Sequence, residues 1–149
     1  MQRGFERWPL PPVFISAQEL DGYAVACFDG KAVIVHEHQA DDRVIVAHEF
    51  CHAVAYLFDR TAPLGFPSPE PLTPRATALE PEVWHQEIWA VSCSTGVTGD
   101  EDWSWGHLVD DSTPEAIDWA ADFIAEGPSD ATEAPSHWTT PRVLVQIEP

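Results

Sequence analysis

The apolar residues of this chain fall into runs of two kinds. Between residues 22 and 36 the runs are short and β-branched: Tyr23-Ala24-Val25-Ala26-Cys27-Phe28, then Asp29-Gly30, then Lys31-Ala32-Val33-Ile34-Val35-His36. Two such runs joined by Asp-Gly predict a β-hairpin, because the tight turn needs a positive φ that glycine adopts without strain. Beyond Asp41-Asp42 the pattern changes. Val44 to Phe58 is apolar almost all round, as in a buried helix, with either aspartate as its cap and an end near Asp59-Arg60. A second helix is predicted from Pro81 through Cys93, with Gly96 and Gly99 as stop signals, and a third from the Thr113 cap to Gly127, with Ile117, Ala120, Ala121 and Ile124 as its apolar stripe. Arg142 to Ile147 reads as a last strand able to join the sheet of the hairpin.

The connecting segments are less regular. Residues 1–15 hold Pro9, Pro11 and Pro12 before Val13-Phe14-Ile15, which suggests an extended arm, and Ser16 to Leu20 reads as one helical turn capped by Ser16. Residues 61–81 contain six prolines, a long connection that either lines a cleft or acts as a spacer. The expectation is an α+β fold in a single domain, 1–149, with a short twisted sheet and hairpin packed on the first helix. There is no internal repeat.

Composition narrows the function classes. At 149 residues with 44% hydrophobic and 11% aromatic content, the chain can bury a core and is not of the disordered type. The net charge of −18, with Lys31 the only lysine, disfavours direct binding to nucleic-acid phosphate. Solubility accounts for such a charge, and so would a basic partner, basic peptide substrates or a high-salt habitat. No run approaches the ~18 apolar residues of a membrane span, and no secretory h-region follows Met1, so a cytoplasmic protein without membrane contact is expected. Three cysteines, Cys27, Cys51 and Cys93, make an odd number without C-x-x-C spacing. That argues against a disulfide framework and for a reducing compartment.

The candidate chemistry lies in the first long helix, in His48-Glu49-Phe50-Cys51-His52. Residues four apart share a helix face, so His48 and His52 can direct two imidazoles at one Zn2+ ion, and Glu49 can serve as general base toward its water. A catalytic zinc takes a third protein ligand, and Ala53-Val54-Ala55-Tyr56-Leu57-Phe58 offers none. Glu87 is favoured, since it sits mid-helix among Val83, Trp84, Ile88, Ala90 and Val91. His85, Glu82 and Glu80 are rivals. Cys51 points to another helix face and reads as a small buried residue, and His36 and His38 read as loop residues. A tetrahedral oxyanion would need a further donor, for which Tyr56, His107, His137 and Arg142 are candidates.

The order Gly22-Tyr23 to Asp29-Gly30-Lys31-Ala32-Val33-Ile34-Val35, then Arg43-Val44-Ile45-Val46-Ala47-His48-Glu49-Phe50-Cys51-His52, resembles the small gluzincin-type metallopeptidases of the ImmA/IrrE group. Those proteins have a short strand pair, an R-x-x-x-A-H-E-x-x-H helix and a following E-x-x-A helix, matched here by Glu87-Ile88-Trp89-Ala90. The resemblance covers roughly residues 22–95. It implies a zincin-like fold, zinc on His48, His52 and Glu87, Glu49 as base, and hydrolysis of a protein or peptide substrate. The chain departs from the pattern at Cys51, where the family usually has glycine, and at Ser94-Thr95-Gly96-Val97-Thr98-Gly99, where it usually has an apolar run. No helix-turn-helix is apparent, so the family's link to DNA-binding domains does not carry over. The strand from Lys31 to His36, taken as an edge, could pair with an extended substrate. Two other classes compete: a zinc-stabilised binding protein without turnover, and an acidic interaction protein in which the motif is incidental.

Overall fold

The computed structural model describes residues 4–18, 20, 25–128 and 133–138. Its elements run β1 (Val13–Ser16), β2 (Ala26–Phe28), β3 (Val33–His36), α1 (Arg43–Tyr56), α2 (Pro74–Thr77), α3 (Pro81–Thr98) and α4 (Pro114–Glu126). Four helices and a three-stranded mixed sheet make a small α+β fold.

The hairpin forms where Asp-Gly placed it. Asp29 Oδ1 accepts from the backbone N–H of Lys31 at 2.8 Å and of Ala32 at 2.9 Å, and Gly30 holds φ +88°. β2 and β3 pair antiparallel, with Cys27 opposite Ile34. The end of the N-terminal arm is extended, as expected, and joins the sheet. Val13–Ser16 is a strand lying parallel to β3, Val13 opposite Val33 and Ser16 opposite His36. Among the described residues no helical turn follows; the Ser16 hydroxyl accepts from the Gln18 N–H at 3.1 Å, a local bond that serine makes in a bend as readily as at a helix start. With β1 on one side and β2 on the other, β3 is the centre of the sheet and not its edge. The strand expected over Arg142–Ile147 lies outside the described residues.

Asp42 is the aspartate that caps α1, accepting from the N–H groups of Val44 and Ile45. α1 packs chiefly against α3, and α3 against α4. Phe50, Val54, Ile88, Trp89, Val91, Leu108, Ala120 and Ile124 are buried in the shared core, with Phe5 and Trp8 of the arm. Gly96 does not stop α3, which runs to Thr98 and ends at Gly99 with φ +79°. Gly96 instead admits α4: a Cβ there would stand 2.6 Å from the Ile117 carbonyl oxygen. The proline-rich connection is anchored, since Ala62, Phe66 and Ala76 are buried and Asp111 accepts from the N–H groups of Leu72 and Thr73 at 2.8 and 2.9 Å.

The cysteine expectation is corrected. Cys51 of α1 and Cys93 of α3 form a disulfide, with Cα atoms 6.1 Å apart. Forty-two residues separate them in sequence, and only the helix crossing brings them together. Among the described residues no helix is long and apolar enough to cross a membrane. A bridge closing a loop of 42 residues constrains the unfolded chain, and removing such a bridge costs about 2–4 kcal/mol. Replacing Cys51 and Cys93 together with alanine is therefore expected to lower the urea midpoint by the corresponding amount. An unchanged midpoint would mean that the bridge adds nothing to stability.

Candidate metal centre

α1 and α3 carry the site between them. His48 and His52, one turn apart on α1, place their Nε2 atoms 3.2 Å from each other. Glu87 reaches across from α3, its Oε1 lying 2.9 Å from His48 Nε2 and 3.0 Å from His52 Nε2. Ligands of a tetrahedral zinc, each roughly 2.0–2.2 Å from the ion, stand roughly 3.3–3.5 Å apart. The observed triangle is a slightly contracted set of that kind, so these donors fit a small divalent cation. Glu49 is buried beside them, and with His48 and His52 it forms a group that could hold a metal ion, the ligand atoms all lying within 4.8 Å of one another. Of the two carboxylates, Glu87 touches both imidazoles. Glu49 Oε2 is buried without a hydrogen-bond partner, which is costly unless something else in the site uses it.

A third carboxylate stands behind His48. Its Nδ1–H donates to Asp102 Oδ2 at 2.7 Å, which leaves Nε2 facing the cluster. Asp102 is fully buried and well supplied with donors. The Ser94 hydroxyl donates to its Oδ2, and the hydroxyl and backbone N–H of Ser104 donate to its Oδ1 at 2.6 and 2.9 Å. Burial disfavours charge on all three groups, but their mutual bonds prevail. The hydrogen bonds to Asp102 and Glu87, with the charge of Glu49, hold the His48 imidazole well above its ordinary 6.5. Against its own burial, the bonds and charges of His48 and His52 hold Glu87 down at about 2. Burial likewise opposes the charge of Asp102, yet His48 and the two serines hold that carboxyl below its ordinary 3.8.

The cluster opens into a cavity of about 830 Å³. One wall is Val25 to Gly30, the outer strand of the sheet and its turn; others are Ile45, Ala55 and Tyr56 of α1, Ser104-Trp105, and Arg60, Thr61 and Arg75 of the proline-rich connection. Among the described residues no strand covers the outer edge of β2. Tyr56 lies one turn beyond His52, and its hydroxyl is 3.0 Å from His137 Nε2. The side chain of His107 and all of Arg142 lie outside the described residues.

The structure thus brings together His48, Glu49, His52 and Glu87. It does not bring the rivals to them. His85 packs beside the Phe66 ring, with centroids 6.5 Å apart, and Glu82 and Glu80 are exposed. His36 ends β3, where its Nδ1 accepts from the His38 N–H, and neither histidine lines the cavity. Sequence reasoning missed Asp102 and its serines. Asp100-Glu101-Asp102 is an acidic run in the sequence, but nothing in it singles out the one carboxylate that turns inward. Ser94 alone had a periodic signal, seven residues after Glu87 on the same face of α3.

No protein-family model, no curated protein and no solved structure matches this chain.

Loss of a carboxylate behind a metal-ligating histidine typically weakens the metal 10–100-fold. Asp102→Asn is expected to weaken the binding of an added divalent cation by about that factor, measured by competition with a chelating dye, and an unchanged affinity would detach Asp102 from the site. In the metal-free protein the paired charges also set a pH window. Glu87 contributes stability above its ordinary 4.5, lost as pH falls toward about 2. His48 contributes below 6.5, and that part is lost as pH rises through its raised folded value. Urea unfolding of the metal-free protein should accordingly show greatest resistance between about pH 4.5 and 6.5.

Proposed function

We propose that this chain is a zinc-dependent peptidase with a zincin-like site, in which His48, His52 and Glu87 hold the metal and Glu49 is the general base. The observation that carries the reading is the meeting of Glu87 Oε1 with both Nε2 atoms while Glu49 keeps a buried, unpartnered oxygen in the same cavity. A structural zinc site is usually closed by four protein ligands; three donors facing an open cavity, with a spare base beside them, suit hydrolysis.

Zinc at this position would supply Lewis acidity toward water and toward a peptide carbonyl. The chain's own groups do the rest. Asp102 keeps the Nδ1 proton on His48, so that Nε2 presents its lone pair to the cluster. Glu49 Oε2 takes a proton from the attacking water and returns it to the amine nitrogen as the C–N bond breaks. Tyr56, at the cavity wall with its hydroxyl 3.0 Å from His137 Nε2, is the oxyanion candidate that lines the cavity among the described residues, its O–H offered to the carbonyl oxygen as charge develops there. Strand addition by an extended substrate moves from β3 to β2, since β1 covers β3 and the edge of β2 borders the cavity.

Elemental analysis tests the metal and a single substitution tests the chemistry. About one zinc per chain is expected, absent from both His48→Ala and Glu87→Ala. Glu49→Gln should keep the zinc and lose at least roughly 100-fold of any peptide cleavage, the scale of general base catalysis. Zinc retained by Glu87→Ala would remove that ligand. Equal turnover by Glu49→Gln would remove the mechanism, and zinc without turnover in the unaltered protein would favour a binding module.

A further inference from the structure

Two cations in the cavity wall have no part in the site so far described. The chain has 7 lysines and arginines against 25 acids. Arg43 is paired with Asp100 at 3.1 Å, and Arg7 donates to the Glu126 carbonyl at 3.3 Å, both away from the cavity. Arg60 and Arg75 line it. Among the described residues neither guanidinium has a hydrogen bond or an ion pair. The cavity's own carboxylates are otherwise engaged or placed: Asp29 binds the turn, Glu87 binds the imidazoles, and Glu49 lies beside His48.

A lone exposed arginine says little, because surface ion pairs are weak. These two differ in how they are mounted. Buried Asp111 fastens Leu72 and Thr73, and the Thr73 hydroxyl caps α2 at the Ala76 N–H, so the turn carrying Arg75 is tied to the core. The guanidinium lies over bare backbone at Gly106, where a Cβ would stand 2.8 Å from Nη1. Arg60 leaves α1 through a closed end. Asp59 adopts φ 55°, and the Arg60 N–H donates back to the Ala55 carbonyl at 3.3 Å. Both residues are exposed, both line one concavity, and each stands on backbone held by these bonds.

We propose that Arg60 and Arg75 make this cavity selective for peptides that carry a carboxylate close to the reacting bond, either an Asp or Glu side chain or a free C-terminus. The proposal rests on the peptidase reading only in taking the ligand to be a peptide. A guanidinium offers two parallel donors that match a carboxylate, which neither an amide nor an ammonium can satisfy as well. The net charge of −18 works the other way and would favour basic chains at long range. That field is screened beyond roughly 8 Å at physiological ionic strength, whereas the two arginines act at contact distance.

Binding of fluorescent nonapeptide pools separates these effects. The pools are degenerate, free of acidic residues except at a central Glu, Gln or Lys, and amidated; a fourth has central Gln and a free C-terminus. The protein is Glu49→Gln, with and without added zinc, measured by anisotropy. The Glu pool, the free-carboxylate pool or both should bind roughly three- to tenfold more tightly than amidated Gln. Which of the two gains tells the side chain from the terminus as the source. The gain should vanish in Arg60→Gln or Arg75→Gln, survive in part in the lysine versions, and persist in Arg43→Gln, a charge-matched change outside the cavity. Equal binding of all pools, tightest binding of the Lys pool, or a gain untouched by both cavity substitutions would overturn the proposal. Cleavage by the unaltered protein distinguishes the two readings. Cutting without preference for a nearby carboxylate sinks the selectivity and leaves the peptidase. Arginine-dependent binding without any cutting leaves the selectivity and sinks the peptidase.

Discussion

Burying Asp102 and Glu87 around a single imidazole is the arrangement on which the rest of this molecule depends. Each carboxylate loses hydration that apolar surroundings cannot replace, and so does His48 when it carries charge. The ring makes this tolerable by bonding both ways, Nδ1 to Asp102 and Nε2 to Glu87. The serines on α3 and in the loop complete the shell of Asp102. One ring thereby ties together α1, α3 and the loop after α3. Taking away that ring would strand two buried carboxylates at once, a far larger penalty than the loss of a surface pair.

Such a cluster needs a framework that holds atoms a few tenths of an ångström from where they must be. The crossing of α1 and α3 is locked at several points. The disulfide joins Cys51 to Cys93, and the Trp89 indole N–H donates to the Cys51 carbonyl at 2.8 Å. Phe66, Trp89, Trp119 and Phe123 meet edge-on or stacked, tying α3 to α4 and to the proline-rich connection. Gly96 lets α4 approach α3 at backbone distance, closing that flank. Rigid elements of this kind are what make a donor set usable for a metal, because little is left to organise when the ion arrives.

The cavity wall is more evenly charged than the chain as a whole, with Arg60 and Arg75 beside Asp29, Glu49 and Glu87. Over the whole chain acids predominate, 25 against 7 lysines and arginines. Inside, the wall combines apolar strand and helix residues with two arginines, and the carboxylates present are bound to a turn, to imidazoles or beside them. A concave site with few polar groups in fixed positions is the common form of a small-ligand or peptide site. The sheet edge at β2 adds main-chain donors and acceptors along one side.

How much of this was legible in the residues follows from the range of each signal. Asp29-Gly30, the Asp42 cap, and the Thr113 cap with Gly127 act within a few residues, and each marked its element. The pair His48 and His52 obeys helix periodicity, so their shared face needed no tertiary information. Glu87 could be favoured because a carboxylate amid apolar neighbours must find a partner. Which partner it finds depends on the α1–α3 crossing. The same crossing makes the Cys51–Cys93 bridge, which no spacing rule announces across 42 residues. Parallel pairing of β1 with β3 likewise joins strands with β2 between them in the chain, so the edge passed from β3 to β2 unseen. Asp102 and Arg60 sit in loop segments and Arg75 in the single turn of α2, where no periodicity marks them; only the folded backbone brings Asp102 to the imidazole and the two arginines to the cavity wall. Local chemistry determined the elements and two of the site's histidines. The long-range packing of helices decided everything that must meet across them, because contact between distant segments leaves no periodic trace in the chain.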